Sequence, residues 1–206
     1  WQVISIWDPP SLRLAVPTLA DTWTALRADL TSSDTYYHVW VTLQEVGLGL
    51  FFAVVVGIAL GIAMGMFRWV NVMLYPAIVG FQAIPKAALA PLMILLFGFG
   101  ITSKVVVVFT VAVFPIMVGV RQGMMATRKD ELDLMRSLRC SRARTFLTIR
   151  VPRAIPSAFG GFQIAMVVAL LVAIVAEFLG ASEGLGYTIN VRSARLDIAG
   201  VFSGLI

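Results

Sequence analysis

Two stretches of the chain carry no charged residue. Residues 46–67 form a run of 22 between Glu45 and Arg68, and residues 154–176 form a run of 23 that ends at Glu177. A helix needs about 20 mostly apolar residues to cross the hydrocarbon core of a bilayer, so each run predicts a spanning helix. Between Trp69 and Val120 the only charges are Lys86 and Lys104. Pro76, Pro85 and Pro91 interrupt the first part of that interval, and Gly98 and Gly100 close it. The pattern predicts a broken helix over 72–97, a short GFGITSK loop, and a further helix over 104–124 with Pro115 inside it.

The break at QAIPKAALAP draws attention to Gln82, Pro85 and Lys86. Proline removes a backbone donor and crowds the preceding turn. At membrane depth the freed carbonyls need protein or water partners. Broken helices often line a translocation path, although a kink that only aids packing has the same signature. Lys86 is costly against lipid and has three places open to it: snorkelled to the interface, facing a cavity, or at a path entrance. The 46–67 run also carries Gly57, Gly61 and Gly65 in register. Small residues on one helix face let two backbones approach closely. The partner is either a helix of this chain or one of a second copy.

Residues 121–153 are the long polar interval. They hold nine Lys+Arg against three acids, a net +6 in a chain of net +5. Positive charge gathered beside apolar spans marks a cytoplasmic loop. The 46–67 and 104–124 helices then run inward and the 154–176 helix outward. The net-acidic stretch 7–37, with Asp8, Asp21, Asp29 and Asp34 against Arg13 and Arg27, is external. The near-neutral stretch 177–197 is external too. Within the loop, residues 130–138 read as a short helix with Leu132, Met135 and Leu138 on one side and Leu134 off that stripe. Arg139, Cys140 and Ser141 form a turn with Ser141 as N-cap. A second short helix over 142–151 follows, and Pro152 and Pro156 bracket entry to the next span. Two amphipathic helices meeting at an angle suit a docking element; a charged helix lying on anionic lipid remains the other reading of the pattern.

Composition sharpens this picture. The chain of 206 residues is 59% hydrophobic and 13% charged, about half the charge of a soluble domain. The basic excess follows topology, so nucleic-acid binding is not expected. Cys140 and His38 are the only residues of their types. They fall on opposite sides in this topology, so no metal site and no Cys–His or Ser–His catalysis is expected. His38 reads as an interfacial polar residue and Cys140 as a small turn residue. The chain starts within WQVISIW and stops within an apolar segment, and both ends read as cuts through longer elements.

Three segments carry a family resemblance. The run ELDLMRSLRCSRARTFLTIRVPRAIPSAFGGFQIA resembles the EAA loop of ABC-importer permeases. PAIVGFQAIPKAALAPLMILLFGFGITSK and VAEFLGASEGLGYTI resemble two further segments of the permeases for sulfonates, taurine and nitrate. Together they cover most of residues 40–202. The resemblance implies an all-α membrane protein, a type I ABC-importer-like transmembrane helix bundle with truncated terminal helices. Residues 1–206 would form one permease domain with an ATPase-coupling loop at 121–153. It implies a multi-pass protein of the bacterial inner membrane, a second permease subunit forming a homodimer or a pseudo-dimer, cytoplasmic ATP-binding subunits, and an external solute-binding protein. The chain itself holds no phosphate-cradling loop, so no enzyme activity is expected of it; ATP and Mg would be bound by the partner ATPase.

On that resemblance Asp133 takes the acid position of the loop, Leu134 and Met135 two alanine positions, and Val151-Pro152 the terminal pair. Glu131, Leu138 and Ser141 complete the expected coupling set. Arg139 stands where the family has glycine, and arginine takes positive φ less freely. The solute is expected to be small and organic or anionic. Readings from other classes are an ATP-independent secondary transporter or channel, and a membrane anchor without a path.

Overall fold

The computed structural model describes residues 17–206; Asp8 and Arg13 lie outside the described residues. Thr18 caps the first helix by accepting from Asp21 N at 3.1 Å, and α1 runs over Leu19–Thr31. Helix α2, Ser33–Met66, is 34 residues long. It adds several polar turns ahead of the 46–67 run, so the helix starts 13 residues before the charge-free run does. After the extended residue Phe67, α3 covers Arg68–Gln82.

The chain breaks between Gln82 and Leu89. Pro85 offers no N–H, and a single 3-10 turn, Lys86–Ala88, follows it. Helix α4, Leu89–Phe97, ends at Gly98 with φ 78°. Helix α5, Ile101–Met125, starts three residues before the expected start at Lys104, which shrinks the expected GFGITSK loop to residues 98–100. Helix α6 is Lys129–Ser137.

The expected second short helix of the loop is not a separate element. Residues Arg142–Gly180 form one continuous helix of 39 residues, α7. Its first turn, Arg142–Thr145, passes through a π-helical turn, Phe146–Arg150, into Val151–Gly180. The physical reason lies at Pro152, which cannot donate to the preceding turn. The wider π turn, with Val151 N–H bonded to Phe146 O, absorbs that defect without stopping the helix. Helices α8, Leu185–Ala194, and α9, Ile198–Leu205, complete the described chain.

Helix α5 is the axis of the bundle and packs most extensively against α2 and α7. The core between them is built from Val46, Ala53, Val108, Ala112, Ile116 and Val120, with Ala165, Ala169 and Ala173 from α7. Helix α4 seats Leu89 and Ala90 on Val107, Val111, Val172 and Ala176. Helix α3 adds Ile78 against Met64 and Met117. Among the described residues three helices, α2, α5 and α7, are long and apolar enough to cross a membrane. Apolar side chains on their outer faces stay exposed, Phe51 of α2 and Val167 of α7 among them.

Candidate functional sites at the two ends of the bundle

The coupling candidates gather at one end, around α6. Glu131 accepts from Arg128 N at 3.3 Å and pairs with Arg153 on α7. Asp133 faces outward and holds Arg136 at 2.9 Å. Met135 turns inward at 8% exposure, while Leu134 and Leu138 stand out at 59% and 64%. So the stripe Leu132, Met135, Leu138 does not stay on one covered side: Leu138 follows the end of the helix into solvent. Ser141 caps α7 by accepting from Arg144 N at 3.2 Å. A hollow between α6 and α7 is lined by Glu131, Leu134, Thr148, Ile149 and Pro152.

Arg139 is the conformational hinge of this turn. Its φ is 50°, the left-handed region that L-residues enter at a cost. Arg139 N bonds Arg136 O at 2.9 Å and Cys140 N bonds Met135 O at 3.0 Å. That double closure is the Schellman pattern, in which the left-handed residue is usually glycine. The turn has the geometry for which glycine is suited and supplies it with arginine.

The path candidates meet at the α3–α4 break. Gln82, Pro85 and Lys86 are exposed. Gln82 and Lys86 line a groove with Phe81 and Ile84, closed on the α5 side by Phe114 and Pro115. Nearby, Arg121 bonds Asn71 and stacks over Tyr75 at 4.2 Å, fixing α3 to α5.

The glycines of α2 face α5 within the chain. A Cβ on Gly57 would meet Val113 O at 3.1 Å, one on Gly61 would meet Met117 O at 2.8 Å, and one on Gly65 would press on Met124 Cβ. Gly49 continues the row against Val108. A second close crossing joins α5 to α7 at Gly119, Gly123 and Gly161.

The opposite end of the bundle holds a buried polar cluster that sequence reasoning did not anticipate. Lys104 Nζ on α5 donates to Glu45 Oε1 on α2 at 2.6 Å, and both are buried. Glu177 on α7 accepts from Thr42 Oγ1 at 2.7 Å and from Gly186 N at 2.5 Å. Thr42 in turn accepts from Leu185 N at 2.9 Å, and His38 Nδ1 from Gly184 N at 3.1 Å. His38 is therefore a buried polar residue, held against the 181–184 turn. Gly184, at φ 109°, and Gly186 leave room for the Glu177 carboxyl, which a Cβ on either would strike. Beside the cluster, Arg192 of α8 forks onto Asp29 of α1, Nη2 to Oδ1 at 2.5 Å and Nη1 to Oδ2 at 2.7 Å, and also reaches Gly200 O and Ser203 of α9. The Arg192 hydrogen bond holds the Asp29 carboxyl below its usual range.

Residues 53–206 match the family described as binding-protein-dependent transport system inner membrane component. The chain belongs to that family. Over 171 residues it is 36% identical to a probable ABC transporter permease protein of Haemophilus influenzae, covering 83% of this chain and 70% of the relative. It is 36% identical over 175 residues to the formylaminopyrimidine transport permease of Halalkalibacterium halodurans, covering 85% of this chain and 70% of that protein. It is 30% identical to the taurine transport system permease of Escherichia coli, covering 82% of this chain and 62% of that protein. The chain is thus a permease component of an ABC transport system, an all-α inner-membrane subunit with the type I importer fold, serving transport of a small solute.

Proposed function

We propose that this permease forms half of a translocation path, pairing with a second copy of itself, and that residues 121–153 dock on a cytoplasmic ATP-binding subunit. That subunit binds ATP and Mg and hydrolyses the ATP, and an external binding protein delivers the solute. The arrangement of α6 carries the reading. A short helix held to the membrane helix by Glu131–Arg153, with Leu134 and Leu138 exposed beside Asp133, suits insertion into a cleft between two rigid surfaces. The net +6 of the segment supports its cytoplasmic side, which puts the Glu45 cluster at the external end. Gln82, Pro85 and Lys86 then border the path at the broken helix, and Lys86 favours a small polar organic solute with anionic character. Of the named relatives, the taurine permease agrees with the anionic character, and the formylaminopyrimidine permease only with a small polar organic solute.

The test is transport and ATP hydrolysis by the reconstituted complex. Asp133→Ala and Leu138→Asp are expected to leave the permease inserted while abolishing solute-stimulated hydrolysis and uptake. Coupled transport at the unaltered rate by both variants would remove α6 from the docking role. Solute uptake sustained without ATP would overturn the ATP-driven reading itself.

A further inference from the structure

The donors around Glu45 and Glu177 can be counted. Glu177 receives one on each oxygen, from Thr42 and from Gly186 N. The Thr42 hydroxyl accepts from Leu185 N, and its one proton lies nearer to Glu177 Oε1, at 2.7 Å, than to His38 O, at 3.2 Å. Glu177 is furnished as a carboxylate. Glu45 is furnished on one side only: Oε1 takes Lys104 Nζ, while Oε2 is buried without a hydrogen-bond donor. Thr42 lies three residues before Glu45 on the same face of α2 and holds Glu177 at 2.7 Å, so the two carboxyls are neighbours.

The charges can be counted the same way. His38 contributes none, because Nδ1 accepts from Gly184 N and the ring is then the neutral tautomer protonated at Nε2. Asp34, 3.6 Å from Nε2, is exposed, as is Glu183 on the 181–184 turn; Tyr37 on α2 and Tyr187 on α8 flank His38. From α5 comes Lys104 alone. Two carboxylates and one ammonium leave a net charge of −1 among side chains exposed by 0%, 1% and 5%. A buried, unpaired charge is strongly disfavoured, as is a carboxylate oxygen facing another carboxylate.

We propose that the cluster is a proton-binding site, with one proton on Glu45 Oε2 donated to Glu177. A single proton neutralises the cluster and turns the orphan oxygen into a donor. It also ties α2 to α7 at the point where Lys104 ties α2 to α5. A cleft of about 390 Å³, lined by Tyr37, Trp40, Gln44, Glu45, Lys104 and Glu183, gives the proton a route to the surface. Separating α2 from α7 hydrates Glu45 and releases the proton, so proton binding favours the closed arrangement of these helices.

Infrared difference spectroscopy of the permease with its ATP-binding subunits in lipid nanodiscs tests this without relying on transport. At neutral pH the unaltered protein is expected to show a protonated-carboxyl carbonyl band that shifts in heavy water. Glu45→Gln is expected to abolish it, the amide taking over donation to Glu177. Glu177→Gln is expected to abolish it as well, because Glu45 and Lys104 then balance each other. Absence of the band from the unaltered protein overturns the proposal whether or not either variant folds. Persistence of the band in either folded variant overturns the shared proton.

Discussion

Gly160 and Gly161 are neighbours on α7 that should respond to the same substitution with opposite sign. A Cβ on Gly160 has nothing within 4 Å, whereas one on Gly161 would strike Pro115 O and lie 3.3 Å from Gly119 Cα. Both obstacles are backbone, and α5 cannot swing them aside as it could a side-chain tip. Gly161→Ala must therefore push α5 and α7 apart by several tenths of an ångström along their whole crossing. Overpacking of this kind costs about 1–3 kcal/mol, against which alanine's helix preference returns up to about 1 kcal/mol. With the full return the net loss is up to roughly 2 kcal/mol. Gly160→Ala keeps only the preference and gains roughly 0.5–1 kcal/mol. Equilibrium unfolding of the purified permease in mixed micelles, followed by loss of helical circular dichroism, reads the difference. Equal destabilisation by both substitutions, or none by Gly161→Ala, would refute the close crossing.

Three further outcomes are expected. Arg139→Gly should stabilise the α6–α7 turn by roughly 0.5–1 kcal/mol, the left-handed cost of a side chain less the added chain entropy of glycine, and Arg139→Val should weaken it; amide exchange at residues 138–141 measures both. The Arg192 bond depresses the Asp29 carboxyl, so the unfolded chain takes up a proton before the folded one as pH falls. The α1–α8–α9 clamp should therefore hold at neutral pH and loosen as pH drops through and below 3.8, seen as lost exchange protection over residues 19–31; Asp29→Asn should lose protection already at pH 7 and show no acid step. Lys86→Ala and Pro85→Ala should slow solute uptake by the reconstituted complex with the fold intact, and unchanged uptake by both would take the α3–α4 break out of the path.

The apolar runs over 46–67 and 154–176, the interruption at Pro85 and the three matching segments were sufficient to read the helical membrane fold and the family. Helix ends were less legible, because polar turns at Ser33 and Arg142 extend the helices beyond the lipid-length runs. Pro152 read as a boundary, yet a π turn lets the helix continue through it. The polar cluster was missed for a different reason. Glu45, Lys104 and Glu177 each sit at the edge of a charge-free run and were read as span ends. The signal was available in the topology: all three fall at the same end of three adjacent helices, with complementary signs. Single-helix periodicity cannot register a contact whose members are 59 residues apart, as Glu45 and Lys104 are. The glycine row of α2 was visible as spacing, but its partner emerged only with α5 alongside it.

The unbroken run of α7 has a mechanical consequence. At 39 residues and 1.5 Å per residue it is a strut about 58 Å long. Ser141 caps one tip and Glu177 lies close to the other. A tilt of about 5° pivoting at the capped tip sweeps the far tip through roughly 5 Å, more than the length of any hydrogen bond Glu177 makes. The polar contacts at one face of the membrane and the turn at the other thus lie on one continuous helix, and a tilt of that helix as a unit moves the one against the other.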